Sequence, residues 1–108
     1  MYAKLSFGIA ALSAMLMTLP IDPASAAEYR IAIAKMKFGA VPAVLHVGDV
    51  IVWLNDDMFR HTATARDKTF DVDLPPKSEK RMTIEKAGAL DFYCRFHPAM
   101  TGRLDIQP

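Results

Sequence analysis

The amino-acid sequence predicts an all-β protein, a Greek-key β-sandwich of about seven to eight short strands. Three observations carry this expectation. Runs of four to six residues rich in Val, Ile, Tyr, Phe and Trp recur through residues 29–106. Gly, Pro, Asn and Asp break these runs at intervals of about 8–12 residues. No stretch of that region carries an apolar period of about 3.6, which a helix facing a core would need.

The strands follow in order. In Tyr29-Arg30-Ile31-Ala32-Ile33-Ala34, bulky apolar residues alternate with Arg and Ala, the period of a half-buried strand. Residues 44–47 form a second short strand, closed by the turn signal Gly48-Asp49. Val50-Ile51-Val52-Trp53-Leu54 is a continuous β-branched and aromatic run, which predicts a central strand buried on both faces. Asn55-Asp56-Asp57 breaks it into a loop. Strand character resumes at His61-Thr62-Ala63-Thr64-Ala65, and Phe70-Asp71-Val72-Asp73-Leu74 alternates until Pro75-Pro76 ends it. Residues 80–84, 89–94 and 103–106 complete the set.

Residues 1–27 read as a secretory signal. Lys4 supplies a positive start, residues 5–19 are apolar apart from small or hydroxyl side chains, and Ala24-Ser25-Ala26-Ala27 offers an A-x-A cleavage site, with the cut after Ala26 or Ala27. The apolar run is short for a bilayer span, and no later segment is apolar enough to provide one. The expected mature chain is therefore soluble, periplasmic and a single domain over residues 28–108, with a retained N-terminal anchor as the alternative. The formal net charge of +1 makes no case for a nucleic acid or an anionic membrane as partner. So small a core has no disulfide to staple it, because the chain holds one cysteine; a bound metal would add stability.

That cysteine is the most informative residue. An unpaired thiol in an oxidising compartment is open to oxidation, and ligation to a metal removes the liability. Cys94 opens the run Cys94-Arg95-Phe96-His97-Pro98-Ala99-Met100, whose spacing lets one tight loop turn three donors toward one point. His61 begins a strand after loop 55–60, which in a sandwich can meet loop 94–100 at the same end. One thiolate, two imidazoles and one thioether form a trigonal copper site with a weak axial methionine. Structural zinc would usually recruit more cysteines, and soft donors disfavour magnesium, calcium and manganese. Taken singly, Cys94 reads equally as an inert buried thiol, His97 as a loop histidine, Met100 as core and His61 as a strand histidine. It is the joint occurrence that points to a metal. His46 stands in an alternating strand without a nearby partner, which suits a structural or surface role.

From Tyr29 to Ile106 the sequence resembles the cupredoxins, and within them the amicyanin-like blue copper proteins. The resembling segments are Ile33-Ala34-Lys35-Met36-Lys37-Phe38, Val47-Gly48-Asp49-Val50-Ile51-Val52-Trp53, and Cys94-x-x-His97-Pro98-x-Met100 followed by Gly102. The resemblance implies His61, Cys94 and His97 as strong ligands of one copper ion and Met100 as the long axial ligand. It also implies an exposed edge at His97 within an apolar patch, for which Met36, Phe59, Pro98 and Ala99 are candidates. Departures from the family pattern accompany it. Thr62 replaces an asparagine that ties the two ligand loops, yet it can still offer its N–H to the thiolate and its hydroxyl to the loop. Leu90 stands where a corner tyrosine is usual. Arg60 and Phe96 stand where relatives carry proline, and Phe96 restores an N–H within reach of the Cys94 sulfur.

These readings converge on a periplasmic type 1 copper protein that carries single electrons between redox proteins and is not an enzyme. It is expected to be a monomer, and the resemblance suggests a dehydrogenase donor and a c-type cytochrome acceptor. The alternative is a copper carrier or chaperone, for which Met36, Met58 and Met82 offer further soft donors. Arg60 and Arg95 flank two ligands and suggest a locally basic end that attracts an acidic partner, unless Asp56 or Asp57 neutralises them.

Overall fold

The computed structural model describes residues 2–4, 6, 8–17 and 26–108. Parts of the expected secretory segment lie outside the described residues, among them Ala24 and Ser25 of the cleavage motif. Its described part before Ala26 is exposed and has neither helix nor strand, and no described helix is long and apolar enough to cross a membrane.

The chain folds as two packed β-sheets. In order, the strands are β1 (Glu28–Ala34), β2 (Lys37–Phe38), β3 (Leu45–His46), β4 (Val50–Asn55), β5 (His61–Ala65), β6 (Asp71–Leu74), β7 (Glu79–Thr83), β8 (Gly88–Tyr93) and β9 (Thr101–Gln107). One sheet has the order β2-β1-β4-β7 and the other β3-β9-β8-β5-β6. The parallel neighbours β1 and β4, and β3 and β9, are joined through the opposite sheet, so the chain crosses repeatedly between layers. All eight expected strands are present, with ends displaced by one or two residues. The addition is β2, which the sequence hid because its hairpin turn contains no glycine or asparagine.

Period-2 alternation turns Ile31 and Ile33 of β1, and Ile51 and Trp53 of β4, toward Ala63, Leu74, Leu90, Phe92, Leu104 and Ile106 of the other sheet. Trp53 sits at the centre, edge-on to Phe92 with ring centroids 5.3 Å apart and to Phe38 at 6.2 Å. The reading of β4 as buried on both faces holds at its centre, where Val52 is covered by ion-paired arginines, while Val50 and Leu54 on the same outer face are half-buried. Val52 is fully buried between its cross-strand neighbours Arg30 and Arg81. Those arginines reach diagonally to Glu79 and Glu28, at 3.3 and 2.9 Å, and their aliphatic stems shield Val52.

Beside the candidate site, β8 and β9 are fixed by an aromatic ring lying over a glycine. Phe92 pairs with Gly102, and a Cβ at position 102 would come within 2.2 Å of the Phe92 ring. The ring cannot retreat, since it is fully buried and packs on Phe38 and Trp53. Gly102→Ala should therefore lower stability by about 1–3 kcal/mol through overpacking, measured as a shift in the urea midpoint of the copper-free protein.

Candidate metal centre

Loop 94–100 leaves β8 at its end and returns as β9. It is closed by two backbone bonds, Met100 N–H to the His97 carbonyl (2.9 Å) and Cys94 N–H to the Met100 carbonyl (3.1 Å). The fold brings His61 to the same place. Cys94 and His61 are fully buried and His97 is half-buried, and their donor atoms all lie within 4.8 Å of one another. Cys94 Sγ is 3.7 Å from His61 Nδ1 and 3.8 Å from His97 Nδ1. An ion bonded at about 2.3 Å to sulfur and about 2.0 Å to nitrogen, with angles near 120°, needs an S···N separation of about 3.7 Å. Both S···N separations thus suit a trigonal N₂S ion. Met100 is buried and lines the same hollow as His97.

His61 is oriented by Asp57, which the sequence alone offers only as a neighbour able to neutralise an arginine. Asp57 Oδ2 lies 2.8 Å from His61 Nε2, so with the carboxylate ionised Nε2 carries the proton and Nδ1 turns its lone pair toward the sulfur. The same carboxylate accepts the N–H groups of Lys35 (2.8 Å) and Met36 (2.9 Å). Those two residues form the β1–β2 turn with φ of 51° and 61°, the left-handed geometry of a type I′ hairpin that normally selects glycine or asparagine. Asp57 therefore compensates a costly turn and aims a ligand at once. The Met36 N–H, aided by His61 and the Lys35 N–H, holds the Asp57 carboxyl below its ordinary value against the opposing effect of burial. The loop is anchored in turn by buried Asn55. Its Oδ1 accepts the Asp57 N–H at 2.9 Å, and its amide donates to the carbonyls of Phe59 and Leu74.

Thr62 ties the two ligand segments together in both ways that its chemistry allows. Its N–H donates to Cys94 Sγ at 3.3 Å, and its Oγ1 accepts the Arg95 N–H at 2.9 Å. These bonds replace the next rungs of the β5–β8 ladder beyond Thr64 and Tyr93. A hydroxyl chain then runs outward: Thr64 Oγ1 donates to Asp71 Oδ1 at 2.7 Å, so the 2.8 Å bond between the hydroxyls takes its proton from Thr62. The Thr64 hydroxyl, ahead of the Arg95 guanidinium, holds the Asp71 carboxyl below its usual value although partial burial opposes it. The expectation for Phe96 does not hold: Thr62 is the main-chain donor to the sulfur among the described residues, and Phe96 turns outward, 48% exposed.

The expectation of a basic end also fails. Arg60 pairs with Asp73 (Nε to Oδ1, 2.8 Å) and Arg95 with Asp71 (3.1 Å), not with Asp56 or Asp57. Their guanidinium groups lie 5.4 and 5.6 Å from the Phe96 ring centroid and brace it by cation–π contact. What remains exposed around His97 is mostly apolar, namely Phe59, Phe96, Pro98 and Ala99, with the cation Lys37 lining the same hollow, and the Phe59 ring stands edge-on to His97 at 6.4 Å. Met36 is half-buried, packing on the core while lining the hollow beside His97. His46 lies apart from the cluster, with Nδ1 3.9 Å from Asp49.

Three substitutions probe this scaffold in the copper-free protein. Asp57→Ala should cost about 2–3 kcal/mol, because two N–H groups and the His61 ring lose a charged acceptor. Adding Lys35→Gly should recover about 1 kcal/mol by relieving the left-handed backbone. Thr62→Val should cost about 1–3 kcal/mol by leaving the Arg95 N–H without its acceptor. Urea unfolding measures all three.

No protein-family model matches the chain. A curated relative, amicyanin of Paracoccus versutus, is 23% identical over 83 residues, which cover 71% of this chain and 63% of that protein's length. Among solved structures, a reduced Cu(I) form of an amicyanin variant is 26% identical with a TM-score of 0.62, covering 74% of this chain and 82% of that one. A purple cupredoxin of Nitrosopumilus maritimus has a TM-score of 0.63 at 20% identity, covering 73% of this chain and 99% of its own. A copper-containing nitrite reductase of Thermus scotoductus, 25% identical with a TM-score of 0.62, is matched over only 22% of its length, against 75% of this chain. One copper ion per chain is the cofactor that this fold and donor set fit. Two-sheet architecture and sequence likeness give the chain the cupredoxin fold and make it similar to amicyanin, with a His-Cys-His cluster at one end of the sandwich.

Proposed function

We propose that the chain is a periplasmic one-electron carrier, with His61, Cys94 and His97 as the strong copper ligands and Met100 as the axial one. The observation that carries this reading is the gathering of the three donors, with both S···N separations at the value a trigonal ion needs. Copper supplies the redox couple, cycling between Cu(I) and Cu(II).

Each surrounding residue has a physical task in that reading. Asp57 fixes the tautomer and ring plane of His61, and Thr62 holds the Cys94 sulfur through its N–H while tethering the loop through its hydroxyl. Ligands so restrained keep nearly one geometry in both oxidation states, which lowers the rearrangement that accompanies each transfer. The N–H···S bond withdraws charge from the thiolate and so favours the reduced state. His97, half-buried and rimmed by Phe59, Phe96, Pro98 and Ala99, is the route by which the electron leaves. That rim is mostly apolar, its arginines are paired and Lys37 is the cation that lines it, so redox partners would dock chiefly by apolar contact with weak dependence on salt. A dehydrogenase donor and a c-type cytochrome acceptor are the partners that the amicyanin likeness suggests. The similarity to one part of a nitrite reductase does not extend to an enzymatic reading, because His46, the remaining histidine, is remote from the cluster.

A copper-delivery role is less well supported. Met82 packs on the core while Met58 is exposed, so the methionines do not gather into a transfer site, and the thiolate is fully buried. The purified protein should bind one Cu(II) with an intense thiolate-to-copper absorption, blue or green, that Cys94→Ser abolishes. A colourless stoichiometric Cu(II) complex would overturn the assignment. Reversible one-electron voltammetry with slow copper loss to a chelator is the expected behaviour; rapid loss would indicate delivery.

A further inference from the structure

At the opposite end of the sandwich, the structure distinguishes the two cleavage positions that the sequence leaves open. β1 begins beside Val50 and runs to Ile33, beside Asn55 at the metal end, so its first residue lies about 20 Å from the cluster. There the Asp49 carboxylate is buried, 6% exposed. Its Oδ2 accepts the His46 N–H at 2.8 Å, and its Oδ1 accepts the N–H of Ala27 at 3.1 Å. No lysine or arginine pairs with it among the described residues. The neighbouring His46 ring is more than half exposed and stands 3.9 Å away. A buried carboxylate served by amide N–H groups and a solvated imidazole lacks the full countercharge that burial ordinarily requires.

We propose that a leader-cleaving protease cuts between Ala26 and Ala27, and that Asp49 is the built receptor for the new Ala27 α-ammonium. Hydrolysis adds water across the Ala26–Ala27 amide: Ala26 leaves as a carboxylate, and the Ala27 nitrogen takes up a proton to become cationic. That nitrogen already lies within hydrogen-bond distance of Asp49 Oδ1, so cleavage turns an amide-to-carboxylate hydrogen bond into an ammonium–carboxylate ion pair. A cut one residue later would remove this donor. It would also remove the Ala27 carbonyl that accepts the Val50 N–H at 2.9 Å and opens the β1–β4 ladder. The scissile residues suit this assignment, with Ala26 exposed, Ala27 half-buried, and alanines at positions 24 and 26 of the leader. The processed end is then a structural clasp, which suits a small domain without disulfides.

The first test is intact mass and N-terminal sequencing of protein exported from cells that express the full precursor. The expected first residue is Ala27; a start at Glu28, or a retained leader, would overturn the proposal. The second compares copper-free chains prepared to begin at Ala27, at Glu28, and at Ser25. The chain beginning at Ser25 keeps the Ala27 N–H but moves the charge away. The Ala27 chain should have a folding constant about tenfold larger than either of the others by urea unfolding. Equal constants for the Ala27 and Ser25 chains would refute the ammonium clasp, and this comparison requires no substitution at Asp49. In Asp49→Asn the advantage of Ala27 over Ser25 should vanish; its persistence would also refute the clasp.

Discussion

The candidate metal site depends on one carboxylate. Asp57 faces a turn whose two central residues sit in left-handed backbone without being glycine, and it also faces the imidazole that must present Nδ1 to the sulfur. Each contact alone would leave something unsettled: the turn would be strained, or the ring free to rotate. Joined in one side chain, they make the β1–β2 hairpin and His61 mutually dependent. Asn55 carries the dependence into the core, since its buried amide fixes loop 55–59 against the end of β6. The ligand is thus held by a chain of hydrogen bonds that ends in regular sheet.

On the other side of the sulfur, Thr62 performs the joining. An asparagine side chain can span between loops; a threonine must lie close, and here it does so because it occupies the strand position beside Arg95. The hydroxyl that accepts from Arg95 must send its own proton elsewhere, and Thr64 takes it because Thr64 is committed to Asp71. Arg95 closes the circuit through its guanidinium on Asp71. Each polar group of this buried hydroxyl pair is satisfied, as a low-dielectric setting requires.

The same pairing shapes the outer surface. Aspartates on β6 neutralise the two arginines nearest the ligands, and the arginines are spent on bracing Phe96. The two arginines that look like free cations in one dimension are paired in three. That suits brief encounters between redox proteins, in which a smooth contact near the exposed imidazole matters more than strong steering.

Much of this protein was legible in its sequence. Alternation in residues 29–34 and 70–74, and the apolar run at 50–54, placed strands because the pleat has a fixed period and a buried core admits only certain side chains. The gathering of His61, Cys94 and His97 was legible because a thiolate and two imidazoles are a chemically selective set, and two of them share one short loop. The Thr62 contacts followed from groups every threonine carries. Tertiary structure alone decided the rest. β2 was invisible because Lys35-Met36 adopts its turn only with the Asp57 carboxylate present, and that residue is more than 20 positions away in the chain. The partners of Arg60 and Arg95 were misjudged because β5 and β6 pair antiparallel, bringing Asp73 and Asp71 closer than the sequence neighbours Asp56 and Asp57. The Phe96 N–H was misjudged because sequence supplies a donor but not its direction. Local periodicity and ligand chemistry are properties of short segments; the orientation of charges and N–H groups depends on which strands become neighbours, and only the fold determines that.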